Sequence, residues 1–300
     1  MRDVDFSNEA LRALRKLGFK TIVSLSLLSS SELVNLIGIS EDLAEELIRQ
    51  ARKKLPIKEF EDFERFSERV TTGCKALDEM LGGGVETGAI TELVGEFGTG
   101  KTQICHQLCV TVQLPPEKGG LSARAVYIDT EGTFRPERII QMANRFGVGL
   151  DSALKNVYYA KVRNLAEQVT CLVELKDLIS EEKVKLVIVD SVIAHFKGIY
   201  ESSDFLTRVH ELALYLSELR KLALSRCVAV VITNRITVIP VSNGKVKVSG
   251  DPFVSMFVDY RISLHKVREN IRRATLVFGR HCLRTSTLFK ISEEGIVDLL

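Results

Sequence analysis

Residues Gly95-Glu96-Phe97-Gly98-Thr99-Gly100-Lys101-Thr102 fit the spacing G-x-x-x-x-G-K-[ST]. Those residue types at that spacing suit one chemistry. Glycines let a backbone wrap closely around an anion. Successive N–H groups and a helix N-terminus supply positive potential. A lysine reaches the outer phosphates, and a threonine hydroxyl can ligate a divalent cation. The ligand these residues predict is ATP with Mg²⁺. The alternative is a chance match on a strand–turn–helix. The flanks speak against it, because a β-rich run, Ile90–Val94, precedes the loop and a helical pattern follows from Lys101.

Two carboxylates extend the site. The apolar run Leu186-Val187-Ile188-Val189 ends in Asp190. A carboxylate at the tip of a buried strand can hold the Mg²⁺ shell through water. Glu131 follows another strand tip, Tyr127-Ile128-Asp129, where a carboxylate can orient and deprotonate an attacking water. A solvated loop acid is the other role open to it. The six cysteines form no C-x-x-C pair. Cys105 and Cys109, with His106 beside them, fall on one helix face. Buried reduced thiols explain that grouping better than a metal centre does.

The elements that must position these groups follow from hydrophobic patterning. From residue 71 onward, apolar β-rich runs alternate with longer helical stretches: Ile90–Val94, Ala125–Ile128, Val157–Ala160, Leu186–Val189 and Val228–Ile232. Several are apolar throughout, as central parallel strands are. The expected class is therefore α/β with a mostly parallel twisted sheet. Val258–His265, Ala274–Gly279 and Thr287–Ile291 read as closing strands, antiparallel at one edge. Residues 1–54 read as helices only, and 55–70 as a charged linker with some helix. That leaves 71–300 as the core domain. The turn Leu36-Ile37-Gly38-Ile39-Ser40 suits a helix-hairpin-helix, whose exposed amides can hold a DNA phosphate, and equally a small interaction module that touches no DNA.

Composition narrows the class. The apolar fraction of 45% and charged fraction of 27% are those of an ordinary globular protein. A net charge of +2 does not imply nucleic acid unless the basic residues cluster. No apolar run reaches the roughly 18 residues a membrane span needs, and the polar start MRDVDFSNEA is no signal peptide. The expected location is the cytoplasm.

Longer motifs add a family resemblance. In order, these are Thr72-Gly73, Leu81–Thr87 (LGGGVET), Gly95–Gln103 (GEFGTGKTQ), Gln113–Glu117 (QLPPE) and Asp129–Arg138 (DTEGTFRPER). Together they resemble the RadA branch of the RecA-type recombinases over most of the chain. The helical N-terminal module resembles that branch too, though it lacks an evident first hairpin. The resemblance implies a RecA-type P-loop core that assembles on single-stranded DNA, with ATP bound between adjacent subunits. It makes Glu131 the catalytic base and puts Arg138 against the adenine. Gln103 joins the nucleotide-binding loop, and Lys101 and Thr102 hold phosphate and magnesium. Segments 195–208 and about 236–256 become the two DNA-binding loops, with Lys197, Arg208, Lys245 and Lys247 as phosphate contacts.

The departures from that pattern all lie outside the phosphate loop. The family's strand ends in Asn-Gln, with the glutamine linking the γ-phosphate to the second DNA loop, but here Asn234 is followed by Arg235, which also counts among the candidate DNA contacts. A Gly-Arg-Gly after the first loop's tyrosine is replaced by Glu201-Ser202-Ser203-Asp204. The proline-containing cap over the neighbour's ATP is replaced by a segment with Arg280 and Arg284. The linker has Phe60 and Phe63 but no F-x-x-A tether. An acidic first loop weakens attraction to the DNA backbone, and a lost aromatic tether removes an interface anchor. Arg235, Arg280 and Arg284 add cations near the expected triphosphate, either as arginine fingers or as partners of local carboxylates.

The expectation is a divergent RadA-like paralogue, an ATPase of DNA recombination and repair. It would assist or regulate a RadA-type recombinase, or assemble with itself. Two alternatives stand: a full strand-exchange recombinase that forms filaments, and a non-catalytic ATP-gated scaffold for recombination partners. A P-loop kinase would need an acceptor lid that the sequence does not offer.

Overall fold

The computed structural model describes residues 29–53, 67–196, 205–238, 246–248, 252–280 and 285–299. The chain divides into two units, Met1–Phe66 and Ser67–Leu300.

The described part of the first unit is a pair of helices, α1 (Ser30–Ile37) and α2 (Glu41–Lys53). Ser29 and Glu32 form a reciprocal capping box at the start of α1, which satisfies two backbone donors that a helix end otherwise leaves open. Gly38 ends α1 in the left-handed region, φ 70°, where a side chain would be strained. The sharp turn that this glycine permits lets α2 begin three residues later. The first hairpin sought in the sequence, and linker residues 55–66, lie outside the described residues.

The second unit is a twisted sheet flanked by helices. A short ribbon comes first, β1 (Arg69–Val70) against β2 (Val85–Glu86), with helix α3 (Lys75–Met80) between them. Arg69 and Val70, which the sequence groups with the linker, are thus paired strand residues. The main sheet follows: β3 (Ile90–Gly95), β4 (Arg124–Asp129), β5 (Val157–Lys161), β6 (Val184–Asp190), β7 (Ala229–Val238), β9 (Tyr260–Lys266), β10 (Ile271–Phe278), β11 (Ser286–Ser292) and β12 (Gly295–Asp298). Its order is β12-β11-β10-β9-β3-β7-β6-β4-β5, and β8 (Val246–Val248) pairs with β7 alone. The helices are α4 (Lys101–Thr111), α5 (Pro136–Phe146), α6 (Leu150–Lys155), α7 (Leu165–Glu181) and α8 (Phe205–Arg226).

Continuous apolar strands suit this sheet because both of its faces are covered. Along β6, Leu186 and Ile188 enter one core with α4 and α5 residues such as Cys105, Leu108 and Met142, whereas Val187 and Val189 enter the other with Leu212, Leu216 and Leu219 of α8. The alternation is the period of two that a strand imposes. Cys105 and Cys109 are wholly buried in the first core. No helix among the described residues is long and apolar enough to cross a membrane.

As expected, the closing strands are antiparallel to one another from β9 onward at one edge of the sheet, and β9 itself runs parallel to β3. The segment after β8 therefore returns to the far end of the sheet before β9 starts. Register then places Gly95 between Arg235 of β7 and Leu264 of β9. The carboxyl ends of β3, β4 and β6 form one rim, the side on which open α/β sheets bind ligands.

Candidate nucleotide site

Gly95 must be glycine at this rim, since a Cβ there would lie 2.6 Å from the Leu264 carbonyl oxygen. Gly98 and Gly100 turn the chain with φ of 76° and 99°, and Gly100 caps α4 directly. Thr99 Oγ1 donates to the Glu96 carbonyl at 2.8 Å and closes the loop. Lys101 folds across it, with Nζ donating to the carbonyls of Gly95 and Glu96 at 2.8 and 2.9 Å. Phe97 stands out from the loop, 91% exposed.

Burial pushes the Lys101 ammonium below the ordinary lysine range, and the nearby Asp190 carboxylate opposes that shift. A part-desolvated cation whose hydrogen bonds, among the described residues, go to neutral carbonyls favours an anionic ligand.

Asp190 collects hydroxyls. Its Oδ2 accepts from Thr102 Oγ1 at 2.8 Å and from Tyr127 at 2.6 Å, and Thr233 donates to Oδ1. Glu131 lies beside it. Ser191 Oγ donates to Glu131 Oε1 at 2.8 Å, and Arg235 forms an ion pair with Oε2.

Asp129 builds the loop that carries Glu131. Its carboxylate accepts from the backbone amides of Glu131, Gly132, Thr133 and Phe134 at 2.8–3.2 Å. His106 braces the loop from α4. Its Nδ1 lies 2.6 Å from the Thr102 carbonyl, and its Nε2 accepts from the Arg135 amide at 2.9 Å. That pair of contacts requires the neutral ring protonated on Nδ1. Burial correspondingly pushes the imidazole below its ordinary range.

A cleft of about 580 Å³ joins these groups, with Phe97, Gly98, Lys101, Thr102, Gln103, Glu131, Arg138, Asp190 and Arg235 on its walls. Gln103 and Arg138 form its outer end. Arg138 donates to Gln103 Oε1 at 2.9 Å and to the carbonyls of Ser292 and Glu293. The donors fit a magnesium triphosphate: a glycine cradle, a part-buried ammonium, and the Thr102 hydroxyl already touching a carboxylate. Magnesium needs few protein oxygens, because water and phosphate complete its shell.

Two lining groups, Arg272 and Ile291, and the supporting role of Asp129 behind the cleft were not legible in the sequence. Arg272 of β10 donates to the Gly98 carbonyl at 3.0 Å and to carbonyls of its own turn, so it supports the loop from a strand 174 residues away. Ile291 packs under Gly100, where a Cβ would come within 2.9 Å of it. Asp129 was visible in the motif, but its role was not. No local pattern announces the first two.

Arg280 sits beyond the opposite end of β3. It pairs with Asp259 at 2.8 Å, approaches Glu86 at 3.6 Å and donates to the Gly88 carbonyl. β3 runs from Ile90 at that end to Gly95, about 17 Å. Arg280 thus takes the local-carboxylate role within its own chain, because the chain reversal before β9 carries it to the rim away from the chain's own cleft. Arg235 takes the local-carboxylate role, through Glu131. Arg208 lies in α8 and Lys247 in β8. Lys197, Lys245 and Arg284 lie outside the described residues.

A phosphate-loop cleft at the rim of a parallel sheet, closed on one side by antiparallel strands, matches one family model, Rad51, over residues 67–299. The chain belongs to the Rad51 family of RecA-type recombinases, which acts in DNA recombination and repair.

Proposed function

We propose that this protein is an ATP-hydrolysing, DNA-binding paralogue of the RadA type that assists or regulates strand exchange by a main recombinase. The observation that carries the ATPase part is the convergence of Lys101, Thr102, Asp190 and Glu131 on one cleft. Magnesium bound there would supply positive charge for the phosphates. Glu131 takes the proton from the water that attacks the terminal phosphorus as the bond to the leaving diphosphate breaks. Lys101 and the loop amides neutralise charge on the departing oxygens. Thr102 and Asp190 would hold the metal, and Gln103 and Arg138 would border the adenine.

The assisting role rests on the ends that report ATP outward. The resemblance puts a glutamine where Arg235 stands, and Arg235 is tied to Glu131. An acidic first loop and a missing aromatic tether point the same way. Single-stranded DNA would meet the ribbon of β7 and β8, where Lys247 lies, and the segments around Lys197, Arg208 and Lys245.

ATP turnover with and without single-stranded DNA, at low and moderate salt, tests the first part. Stimulation that fades with salt is expected. A strand-exchange assay tests the second. Efficient pairing of homologous DNA by this protein alone, with long regular filaments in electron micrographs, would overturn the assisting role. Turnover unchanged by Glu131→Gln, with ATP still bound, would favour the scaffold.

A further inference from the structure

The geometry points to Arg235 as a clamp on Glu131, which holds the base out of action until single-stranded DNA on the β7–β8 ribbon draws the guanidinium away. The inference rests on the ATPase reading above and deepens it.

Three observations meet at Arg235. The first is its partner: both oxygens of Glu131 are engaged, one by Ser191 Oγ at 2.8 Å and the other by the guanidinium. The guanidinium takes up part of the carboxylate's accepting capacity, and its positive charge opposes the transfer of a proton from water to Glu131. The second is the backbone. Asn234, one residue earlier, is buried and anchored, with Nδ2 donating to the buried Glu92 at 2.8 Å. Arg235 is the last residue of β7 in register with β3, opposite Gly95. From Ile236 onward the pairing partner is β8, in the register Ile236↔Val248 and Thr237↔Lys247. Arg235 thus stands at the junction between the fixed sheet and the ribbon. The third is accessibility. The Arg235 side chain is 44% exposed while that of Glu131 is 14% exposed, so the cation can leave and the carboxylate cannot follow it.

An arginine offers a planar fork to either a carboxylate or a phosphate. A DNA backbone at the ribbon presents phosphates that compete with Glu131 for that fork. Arg235 acts through Glu131 and is a positioning residue. The device would make hydrolysis wait for DNA, a coupling suited to a protein that assists a filament.

The test uses the full chain in three forms: wild type, Arg235→Gln and Arg235→Lys. In nucleotide-free protein, hydrogen–deuterium exchange is read at the amides of residues 131–134. Arg235→Gln is expected to raise exchange there about fivefold, the effect of losing one part-exposed ion pair. Single-stranded DNA should do the same to wild type and add nothing to the variant. DNA-independent turnover should rise about five- to tenfold in Arg235→Gln, with DNA stimulation reduced to match. Arg235→Lys should fall between, since it keeps the charge and loses the fork.

Unchanged exchange at 131–134 in Arg235→Gln would overturn the clamp. So would a full DNA stimulation ratio in that variant. A tenfold or greater drop in turnover with ATP still bound would assign Arg235 to charge stabilisation on the reacting phosphate instead. If wild type turns over no ATP with or without DNA, the ATPase reading fails, and the exchange measurement still decides the clamp.

Discussion

The two ends of β3 carry similar residues and do opposite things with them. At the amino end, Glu86 and Asp259 are enclosed by cations and donors. Arg69 reaches Glu86 at 3.2 Å, Tyr260 donates to Glu86, and Arg220 and Arg280 both reach Asp259. Every charge there is answered by a neighbour. At the carboxyl end, Lys101 has only carbonyls within hydrogen-bond reach among the described residues, and Asp190 is held by hydroxyls. A set of charges that neutralise one another locks a fold. A part-buried cation without an ion-pair partner marks a place for a ligand. Arginine content alone cannot distinguish the two ends.

Substitution at each end should break different properties. The largest effect is expected at the carboxyl end. Glu131→Gln should lower turnover about 10²–10⁴-fold, the usual contribution of a positioned base, and leave ATP binding intact. Steady-state turnover with a separate nucleotide-binding titration reads both. At the amino end, Glu86→Ala should leave ATP affinity unchanged and cost stability. Removing one member of a buried ion pair strands its partner. Arg69 and Arg280 are partly exposed, with side chains at 22% and 29%, so roughly 2–3 kcal/mol is expected, below the full cost of breaking a buried pair. Chemical denaturation at neutral pH measures it. If Glu86→Ala instead weakened ATP binding, the contrast between the two ends would not hold.

How far the sequence could reveal this contrast depends on whether the information is local. The phosphate loop is contiguous, so its spacing, strand and helix are all visible. Asp190 is visible because a doubly buried strand reads as an unbroken apolar run that ends in a charge. The parallel sheet is visible for the same reason. Arg272 and Ile291 are not, since their contacts with Gly98 and Gly100 come from strands late in the chain. Nor is the parallel direction of β9, because a strand's own pattern does not state which way it lies beside its neighbour. Arg235 stands between these cases. The departure from the family's glutamine is legible, while its partner, 104 residues away, is not.

Acid should separate the ends a second way. His106 is neutral in the fold, with one ring nitrogen accepting from Arg135. Its folded value lies below the ordinary 6.5 because of burial. The unfolded chain therefore binds the proton first. Stability is complete above about pH 6.5 and falls as pH drops below it, by at most about 1.4 kcal/mol for each pH unit. Glu86 behaves similarly at lower pH. Burial alone would raise its carboxyl, but the donors Tyr260 and Ser67 and the cations Arg69 and Arg280 together hold it below 4.5. Its contribution is lost as pH falls through the range under 4.5. Thermal melts from pH 7.5 to 5 should thus show a slope that His106→Asn flattens and Glu86→Gln does not.

The smallest effect is expected at Arg280, and it is the most direct probe of the comparison. Arg280→Ala removes a cation that is 29% exposed and shares Asp259 with Arg220. Because Arg220 remains to answer Asp259, the loss should be under about 1 kcal/mol. Arg280 lies at the far end of β3 from the subunit's own cleft, so turnover at low protein concentration should match wild type. A nucleotide within reach of Arg280 would have to belong to a second copy of the chain. Turnover is therefore to be compared across a wide range of protein concentration. Equal rates at every concentration make the amino end purely structural. A defect that grows with concentration would show that this rim touches the next subunit's nucleotide. The same arginine would then close its own fold and help complete its neighbour's site.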